Sequence, residues 1–300
     1  MYKRVLVTGG SGFVAKALRK VKPQWDYISS SDCDLTNRDA TYRFLKDLRP
    51  EAIIHLAGKV GGIRENSEKQ AEFYYTNVLI NTNVINEAKN VGIKRVLSSL
   101  STCCFPDKLK EYPFVEEDIF SGAPATTNLS YGFAKRALFV QSCAYRKQHD
   151  LNYSCFSPSN LYGPGDNFED DNSHFVPALI RKVAAAQDQG TVKLWGTGKA
   201  LRQQLYVEDL AQIIPLLLEG HNSECPLIVA PDENLSIKEM ADLCVQHSGK
   251  SLHLLFNGKL SGQHRKDGNN QKLKQLIGDF KFTPFDTGLL KTYNWYRENK

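Results

Sequence analysis

A tyrosine and a lysine stand four residues apart in the segment SYGFAK, as Tyr131 and Lys135. This spacing places both side chains on one face of a helix. A free phenol has a pKa near 10, and a neighbouring ammonium group stabilises the phenolate and lowers that value. The pattern therefore predicts a general acid that protonates a ketone oxygen while a nicotinamide cofactor delivers hydride. Taken alone, the same spacing is more often a surface tyrosine and lysine, so it needs support from the rest of the chain.

Two further reactive side chains, Ser101 and Cys103, follow the fourth predicted strand, about 30 residues before Tyr131. The carboxyl edge of a doubly wound sheet is where such folds bind their ligands. Ser101 is expected to donate to the same carbonyl oxygen as Tyr131. A single cysteine is usually a small buried hydrophobe, but a thiol at this edge, with a free pKa of about 8.5, can be tuned to act as an acid or a base.

A glycine-rich turn follows the first predicted strand directly and leads into a helical pattern at residues 16–21. In GGSGFVA, Gly9 permits a tight turn, Gly12 lets the backbone approach a pyrophosphate, and Ala15 lets the helix lie close to the strand. The diphosphate would lie at the helix N-terminus. The position between a buried strand and a helix favours dinucleotide binding over an ordinary turn. The predicted contacts on the turn are Gly9, Ser11, Gly12, Phe13 and Val14.

The end of the second predicted strand decides between NAD and NADP. An acidic residue there would bind the ribose 2′-hydroxyl, whereas this chain has three serines at residues 29–31. Hydroxyls can donate to a 2′-phosphate, so the sequence favours NADP(H), with Arg19 or Lys20 as a cationic partner, although Asp32 weakens the preference. The remaining predicted cofactor contacts are Ser30, Asp34, Leu35, Leu56, Ala57, Gly58, Tyr131 and Lys135.

Short apolar runs alternate with amphipathic stretches through the first half of the chain, as is typical of βαβ units that feed a parallel sheet. Strands are predicted at residues 3–8, 26–29, 52–56, 95–100 and 153–156. The expected fold class is α/β: a Rossmann-type doubly wound parallel sheet with a smaller C-terminal α/β substrate-binding lobe. Residues 1–165 form the predicted NADP-binding domain, joined by residues 192–218, whose strands at 192–195 and 204–207 are expected to return to the main sheet. Residues 166–191 and 219–300 form the predicted substrate-binding lobe.

Composition narrows the class of protein. The net charge of +5 is mild and the basic residues are scattered, so no nucleic acid is expected as a partner, while a ligand with several phosphates fits. No run approaches the roughly 18 consecutive apolar residues of a membrane span, and no export signal is visible. The seven cysteines are odd in number and lack metal-ligand spacing, so neither a disulfide framework nor a metal site is predicted and a cytoplasmic location is expected.

Several longer motifs resemble those of the GDP-L-fucose synthases, also called GDP-4-keto-6-deoxy-D-mannose epimerase-reductases, in the extended short-chain dehydrogenase/reductase superfamily. The resemblance covers nearly the whole chain. It is carried by HLAGKVGGIREN at residues 55–66, STCCFPDK at 101–108, SYGFAKR at 130–136, PSNLYGPGDNF at 158–168, SHFVPALIRK at 173–182 and WGTGKALRQQLYVEDLA at 195–211. It implies an NADPH-dependent enzyme that epimerises a GDP-linked 4-keto-6-deoxy sugar at C3 and C5 and reduces the ketone at C4.

The resemblance also implies roles for single residues. Cys103 and His174 are the implied acid and base at C3 and C5, and Ser101, Tyr131 and Lys135 carry the reduction. The implied contacts to the nucleotide sugar are Asn160, Lys182, Trp195 and Arg202, and the implied assembly is a homodimer. The roles agree with the chemistry, because a 4-keto group acidifies the hydrogens on both neighbouring carbons. At residues 261–262 the chain reads Ser-Gly where the family often has Asp-Gly, so no contact to the guanosine is predicted.

Other interpretations stay open. Another nucleotide-sugar 4-ketoreductase or 4-epimerase would use Ser101, Tyr131 and Lys135 without inverting C3 and C5. A catalytically silent NADP-binding regulatory protein would keep the fold alone, although the intact tyrosine and lysine argue against it. Without the motif around it, His174 would more often be a structural histidine.

Overall fold

The strands of the central sheet are buried on both faces, which explains their unbroken apolar sequences. The computed structural model describes residues 2–169, 173–258 and 263–300. The strands in this part of the chain are β1 Val5–Thr8, β2 Asp26–Ile28, β3 Ala52–His55, β4 Arg95–Ser99, β5 Asn152–Pro158, β6 Asn160–Tyr162, β7 Thr191–Leu194, β8 Leu201–Arg202, β9 Gln204–Tyr206, β10 Leu227–Val229, β11 Leu235–Ser236, β12 His253–Phe256 and β13 Arg265–Lys266.

Helices cover both faces of this sheet and also build a separate C-terminal lobe. They are α1 Phe13–Val21, α2 Arg38–Leu48, α3 Ile63–Glu68, α4 Gln70–Asn90, α5 Leu129–His149, α6 Phe175–Ala185, α7 Val207–Gly220, α8 Ile237–Ser248, α9 Gln271–Ile277 and α10 Phe285–Asn299. Successive strand residues point to opposite faces. One core therefore joins the sheet to α2, α4 and α5, and a second joins it to α1, α7 and α9.

The main sheet has six parallel strands in the order β10-β5-β4-β3-β1-β2. From β1 the chain passes to β2 on one side and then crosses to β3 on the other, so the order reverses beside the carboxyl end of β1. A doubly wound sheet binds ligands at such a switch point. The predicted fold class is confirmed, and all five predicted strands of the first half are present to within two residues.

The prediction that residues 192–195 and 204–207 return to the main sheet is wrong. β7 pairs with β12, and β9 pairs with β6, each in a separate two-stranded sheet. The sixth strand of the main sheet is β10, a three-residue apolar segment beside β5. A third core holds α6, α8 and α10 against β7 and forms the C-terminal lobe.

A buried arginine at the start of β4 ties α7 to the sheet. The Arg95 guanidinium donates to the carbonyls of Leu217, Leu218 and His221 over 2.9–3.0 Å. The last carbonyls of a helix have no partner within the helix, so this arginine satisfies them. α7 is thereby held beside α1, on the side of the sheet that carries the glycine-rich turn.

Candidate active site

The glycine-rich turn has the backbone that a tight βα turn requires. Gly9 has a φ of +73°, and a Cβ atom added to it would lie 2.9 Å from the amide nitrogen of Ala57. The Gly12 amide donates to the Gly9 carbonyl over 2.8 Å, and α1 begins at Phe13, three residues earlier than predicted. Ser11 and Gly12 are exposed. The free amides at the start of α1 therefore face solvent, as a phosphate-binding turn requires.

Gly9→Ala is expected to weaken NADPH binding at least tenfold, because a side chain at this φ is strained by about 1–2 kcal/mol and its methyl group displaces the Ala57 backbone. A fluorescence titration with NADPH measures the effect. Gly92→Ala is the matched control, since Gly92 has a φ of +84° with nothing within 4 Å of an added Cβ. Equal NADPH affinity in wild type and both variants would contradict this role of the turn.

In the loop after β2, the carboxylate of Asp32 forms hydrogen bonds within the loop. Asp32 accepts from the backbone amide and the hydroxyl of Ser29, both over 2.8 Å, and these bonds lower the pKa of Asp32. Ser30 is exposed beside it. Arg19 lies over the Tyr27 ring at 4.5 Å and is close enough to stabilise the charge of Asp32, whereas Lys20 pairs with Glu208 on α7. Of the two predicted cationic partners, Arg19 is the one at this loop.

A buried hydrogen-bond chain joins β1, β3 and α4 at the switch point. Thr8 Oγ1 lies 2.8 Å from His55 Nδ1, and His55 Nε2 lies 3.0 Å from Asn81 Oδ1. Burial and the charge of Lys135 lower the pKa of His55 to about 3, so the imidazole is neutral. Thr8 Oγ1 also accepts from the amides of Leu56 and Ala57 over 3.2 Å. The chain fixes the segment 56–58 against the glycine-rich turn.

Asn77 supports the same segment from α4. Its amide donates to the carbonyls of Lys59 and Phe73, and its Oδ1 accepts from the Lys59 amide over 3.0 Å. A Cβ atom on Gly58 would lie 2.8 Å from Asn77 Oδ1 and 3.7 Å from Lys135 Nζ. Glycine at 58 thus lets the segment 56–58 lie close to Asn77 of α4 and near Lys135 of α5.

The two predicted contacts at 34 and 35 differ in exposure. Asp34 is exposed, although its carboxylate accepts from the amide and hydroxyl of Thr36. The side chain of Leu35 packs in the core, and its carbonyl accepts from Asn83 over 2.9 Å. Any contact of Leu35 with an adenine would be through its backbone amide.

The long helix α5 carries Tyr131 and Lys135 on its buried face. The Tyr131 ring meets Phe73 of α4 edge to face, with centroids 6.5 Å apart. Lys135 Nζ donates to the Ser99 carbonyl at the end of β4 over 2.8 Å and lies 5.8 Å from the Tyr131 ring centroid. The structure therefore brings the predicted tyrosine and lysine together at the carboxyl edge of β4, beside Ser101.

The prediction that the Lys135 ammonium lowers the pKa of Tyr131 is wrong. Burial raises the pKa of Tyr131, and negative charge on Cys103 and Cys104 raises it further, against the opposing effect of a side-chain hydrogen bond with Ser101. Burial also lowers the pKa of Lys135, to about 8, and the ammonium is directed at the Ser99 carbonyl. Tyr131 is thus held in its protonated form, which is the form that donates a proton to a ketone oxygen.

The backbone of Cys103 lies directly against α5. A Cβ atom on Gly132 would lie 2.6 Å from the Cys103 carbonyl oxygen and 2.8 Å from Pro124 Cβ, so only glycine lets α5 approach this closely. The Cys103 amide donates to Ser101 Oγ over 3.2 Å. The thiol and the phenol are consequently held on adjoining elements in one fixed arrangement.

Two adjacent thiols have opposite properties. Burial by itself raises the pKa of Cys103, but Lys266, whose Nζ lies 3.1 Å from the sulfur, a hydrogen bond with Ser101 and the charge of Arg202 lower it by more. Burial raises the pKa of Cys104 to about 12, and Cys104 packs in the core. Of the two thiols, Cys103 is therefore the one whose surroundings favour the deprotonated form.

His174 and Arg202 lie within electrostatic range of the pair formed by Lys266 and Cys103, His174 of the lysine and Arg202 of the thiol. His174 is the residue before α6, and surrounding protein together with Lys266 lowers its pKa. Burial lowers the pKa of Arg202 while the charge of Cys103 opposes the shift, and its guanidinium donates to the carbonyls of Leu201 and Gln263. His174 keeps an exposed surface although protein surrounds it, and Cys103 and Arg202 are half-buried. Lys266 acts electrostatically on both His174 and Cys103, and Cys103 acts on Tyr131, so we call the region between positions 103, 131 and 174 the cleft.

The other predicted substrate contacts lie on the elements around the cleft. Asn160 begins β6 and pairs in register with Gln204 of β9, two residues from Arg202. Lys182 of α6 donates to the Lys193 carbonyl over 3.0 Å. Trp195 follows β7 and is 57% exposed. Lys182 and Trp195 therefore both lie beside β7 in the C-terminal lobe.

Lys266 and Asn128 are site residues to which the sequence analysis gave no role. Lys266 reaches Cys103 because β13 pairs with β8, which places Lys266 beside Arg202. Asn128 lies 3.6 Å from the Cys103 sulfur. The only available signal for Lys266 was its place in the segment that departs from the family's Asp-Gly pattern.

Lys266→Met is expected to raise the pKa of Cys103, because the variant loses both a positive charge and a hydrogen-bond donor at the sulfur. The deprotonated thiol then forms only at higher pH. The pH profile of Cys103 alkylation should move to higher pH, and its rate at neutral pH should fall about tenfold or more. Lys291→Met, at an exposed lysine of α10, is the control. An unmoved profile would contradict the role of Lys266.

Among the described residues, no helix has the length and apolar character needed to cross a membrane. That part of the chain also holds no group of three or more His, Cys, Asp or Glu side chains that could bind a metal ion.

Most of the candidate site lies in a part of the chain that matches a known protein family. Residues 5–229 match the NAD dependent epimerase/dehydratase family, and they include the glycine-rich turn and the residues at 101, 103, 131, 135 and 174. The chain belongs to this family.

Individual relatives narrow the class. The chain is 36% identical over 308 residues to the GDP-L-fucose synthase of Dictyostelium discoideum, covering 99% of this chain and 96% of that protein. The probable GDP-L-fucose synthase of Drosophila melanogaster is 36% identical over 321 residues, with 99% and 98% covered. A GDP-L-fucose synthetase from Naegleria fowleri, crystallised with NADP, matches the structure with a TM-score of 0.91 at 33% identity, covering 99% of this chain and 93% of that one. The predicted resemblance to GDP-L-fucose synthases is confirmed.

Proposed function

We propose that this protein converts GDP-4-keto-6-deoxy-D-mannose to GDP-L-fucose with NADPH, by epimerisation at C3 and C5 and reduction at C4. The observation that carries the proposal is that a protonated phenol, Tyr131, lies within electrostatic range of a thiol, Cys103, whose sulfur contacts Lys266. A simple ketoreductase has no use for the second group. The names of the relatives agree with the proposal.

NADPH is the proposed cofactor, as the protein from Naegleria fowleri was crystallised with NADP. When bound, it supplies hydride at C4 of the sugar. The turn Gly9–Val14 and the segment Leu56–Gly58 would hold its phosphates, with the exposed amides at the start of α1 as donors. Ser30 and Arg19 would meet the 2′-phosphate, because Asp32 is already bonded to Ser29. Asp34 and the Leu35 backbone lie toward the proposed adenine side.

Epimerisation needs an acid and a base on opposite faces of the sugar ring. Cys103 and His174 reach the cleft from different lobes, since one follows β4 and the other precedes α6. One removes the proton at C3 or C5 and the other returns a proton to the opposite face. Ser101 and Tyr131 would stabilise the negative charge that develops on the C4 oxygen.

Reduction uses the same polarising pair. Tyr131 donates its proton to the C4 oxygen, and Lys135 and Ser101 hold the phenol and the oxygen in place. Arg202 and Lys182 are the proposed partners of the diphosphate. The guanidinium fork of an arginine suits this group because it can donate two parallel hydrogen bonds to it. Asn160 and Trp195 are the proposed contacts to the sugar and the nucleotide. Both steps would thus act on one oxygen in one bound position.

The test is incubation with GDP-4-keto-6-deoxy-D-mannose and NADPH in deuterated water. The proposal expects NADPH oxidation and deuterium at C3 and C5 of a GDP-L-fucose product, located by mass spectrometry and NMR. NADPH oxidation without deuterium at C3 and C5 would instead indicate a 4-ketoreductase of the same family. Interconversion of C4 epimers of a GDP-hexose without net NADPH oxidation would indicate a 4-epimerase. NADPH binding without any turnover would indicate a regulatory protein.

We also propose a homodimer. Along α5, an uncharged stripe at spacings of four, three and four residues leaves Phe133, Ala137, Val140 and Ala144 exposed, with Val140 51% accessible. Tyr75 of the adjoining α4 is 67% exposed. Helices pair through such apolar stripes. A second copy is the proposed occupant.

Val140→Glu is expected to convert the dimer to monomer, because it places a charge in the apolar contact. Light scattering over a concentration series measures the mass. Gln148→Glu, at an exposed position on the same helix, is the control. A monomeric wild type, or a dimeric Val140→Glu, would contradict this interface.

The domain division also remains a proposal. The sheet order supports a cofactor-binding unit of residues 1–165 with α7 and β10, which differs from the predicted division because β10 lies in the range 219–300. It supports a substrate-binding lobe made of α6, α8 and α10 with β7 and β12. All seven cysteines are free, which supports a reducing, cytoplasmic location.

A further inference from the structure

Two donors from distant parts of the chain reach the Cys103 sulfur. Lys266 Nζ of β13 lies 3.1 Å from Sγ, and Asn128 Nδ2 of the 3-10 helix Thr126–Asn128 lies 3.6 Å from it. An ammonium and an amide NH₂ can only donate. Both groups therefore favour the form of the sulfur that only accepts hydrogen bonds, which is the thiolate.

The backbone fixes Asn128 in this position. Its amide donates to the Ala125 carbonyl over 2.9 Å, and α5 begins at the next residue. Four residues later, Gly132 holds α5 against the Cys103 carbonyl. The backbone of Asn128 and the backbone of Cys103 are thus both held in place, and the Asn128 side chain reaches from one to the other.

We propose that Asn128 is a positioning residue, whose side-chain amide holds the Cys103 sulfur toward the cleft and, together with Lys266, stabilises its deprotonated form. The role in epimerisation rests on the proposed function. The effect on the thiol itself can be measured without any sugar substrate.

The groups around the sulfur make the contribution of Asn128 separable. Lys266, Ser101 and Arg202 favour the charged sulfur, while burial opposes it. Tyr131 and Cys104 also face Cys103, and negative charge on Cys103 disfavours their ionisation. Asn128 is uncharged, so its removal leaves these charges in place and takes away one hydrogen bond. Asn128→Asp keeps the shape but sets a carboxylate against the sulfur.

The experiment follows alkylation of Cys103 by iodoacetamide from about pH 6 to pH 9, with peptide mass spectrometry to separate it from the other six cysteines. Only the thiolate reacts. Asn128→Ala is expected to slow the reaction about tenfold below the midpoint of the profile, since hydrogen bonds to charged groups are strong. Asn128→Asp should slow it further, and Asn128→Ser should recover part of the rate. Thr126→Ala, at an exposed position of the same turn, is the control.

Unchanged alkylation profiles in both Asn128→Ala and Asn128→Asp, with wild-type melting temperatures, would overturn the proposal. If the alanine variant does not fold, the isosteric aspartate variant decides. Deuterium exchange distinguishes the two proposals. Slower alkylation in the Asn128 variants, with no deuterium exchange in the wild type, supports the role of Asn128 at the sulfur and refutes the proposed function. Normal deuterium exchange in the wild type, with unchanged alkylation in the variants, refutes only the role of Asn128.

Discussion

Cys103→Ser is expected to abolish deuterium incorporation at C3 and C5, lowering the exchange rate by about 10²–10⁴-fold. A serine hydroxyl has nearly the shape of the thiol, but Lys266 cannot make it a useful base at neutral pH. NADPH-dependent reduction of the ketone should continue, because Ser101, Tyr131 and Lys135 are unchanged. Mass spectrometry of the products formed in deuterated water measures the exchange, and NADPH absorbance measures the reduction.

The neighbouring thiol supplies a matched control. Cys104 is fully buried in the core, and burial raises its pKa to about 12. Cys104→Ser should lose stability but keep wild-type exchange per folded molecule. Wild-type exchange in Cys103→Ser would remove the epimerase half of the proposed function.

Tyr131→Phe is expected to lower the rate of ketone reduction by about 10²–10⁴-fold, since the variant has no proton to donate to the C4 oxygen. NADPH binding should be nearly unchanged, because the phenyl ring keeps its edge-to-face contact with Phe73. Single-turnover NADPH oxidation separates the chemical step from binding. Tyr145→Phe, on the same helix as Tyr131, is the control, because it removes only a hydroxyl that donates to Asn86 of α4. Full reduction by Tyr131→Phe would refute the proposed acid.

Local patterns predicted the cofactor half of the molecule well. The β-branched strands, the glycine-rich turn and the spacing of Tyr131 and Lys135 are properties of short segments, and each segment adopts the structure that its own residues favour. The start of α1 was misplaced because Gly12 and Phe13 give no helical signal, although Gly12 is the N-cap and Phe13 the first residue of the helix.

Long-range pairing was not accessible to the same reasoning. β10 has only three residues and β13 has two, so neither has a periodicity that identifies its partner. The contact between Lys266 and Cys103 depends on β13 lying beside β8, across a separation of more than 60 residues. The direction of the Tyr131 pKa shift likewise depends on burial, which the spacing of tyrosine and lysine does not reveal.

The close approach of Gly132 to the Cys103 carbonyl has a consequence for the order of events in the proposed reaction. The backbone that carries the thiol and the helix that carries the phenol are in direct contact, so neither can move far without the other. A 4-keto sugar that is epimerised beside the thiol is already close to the phenol. The epimerised ketone therefore need neither leave the protein nor reorient in the site before it is reduced. Little of it should escape into solution.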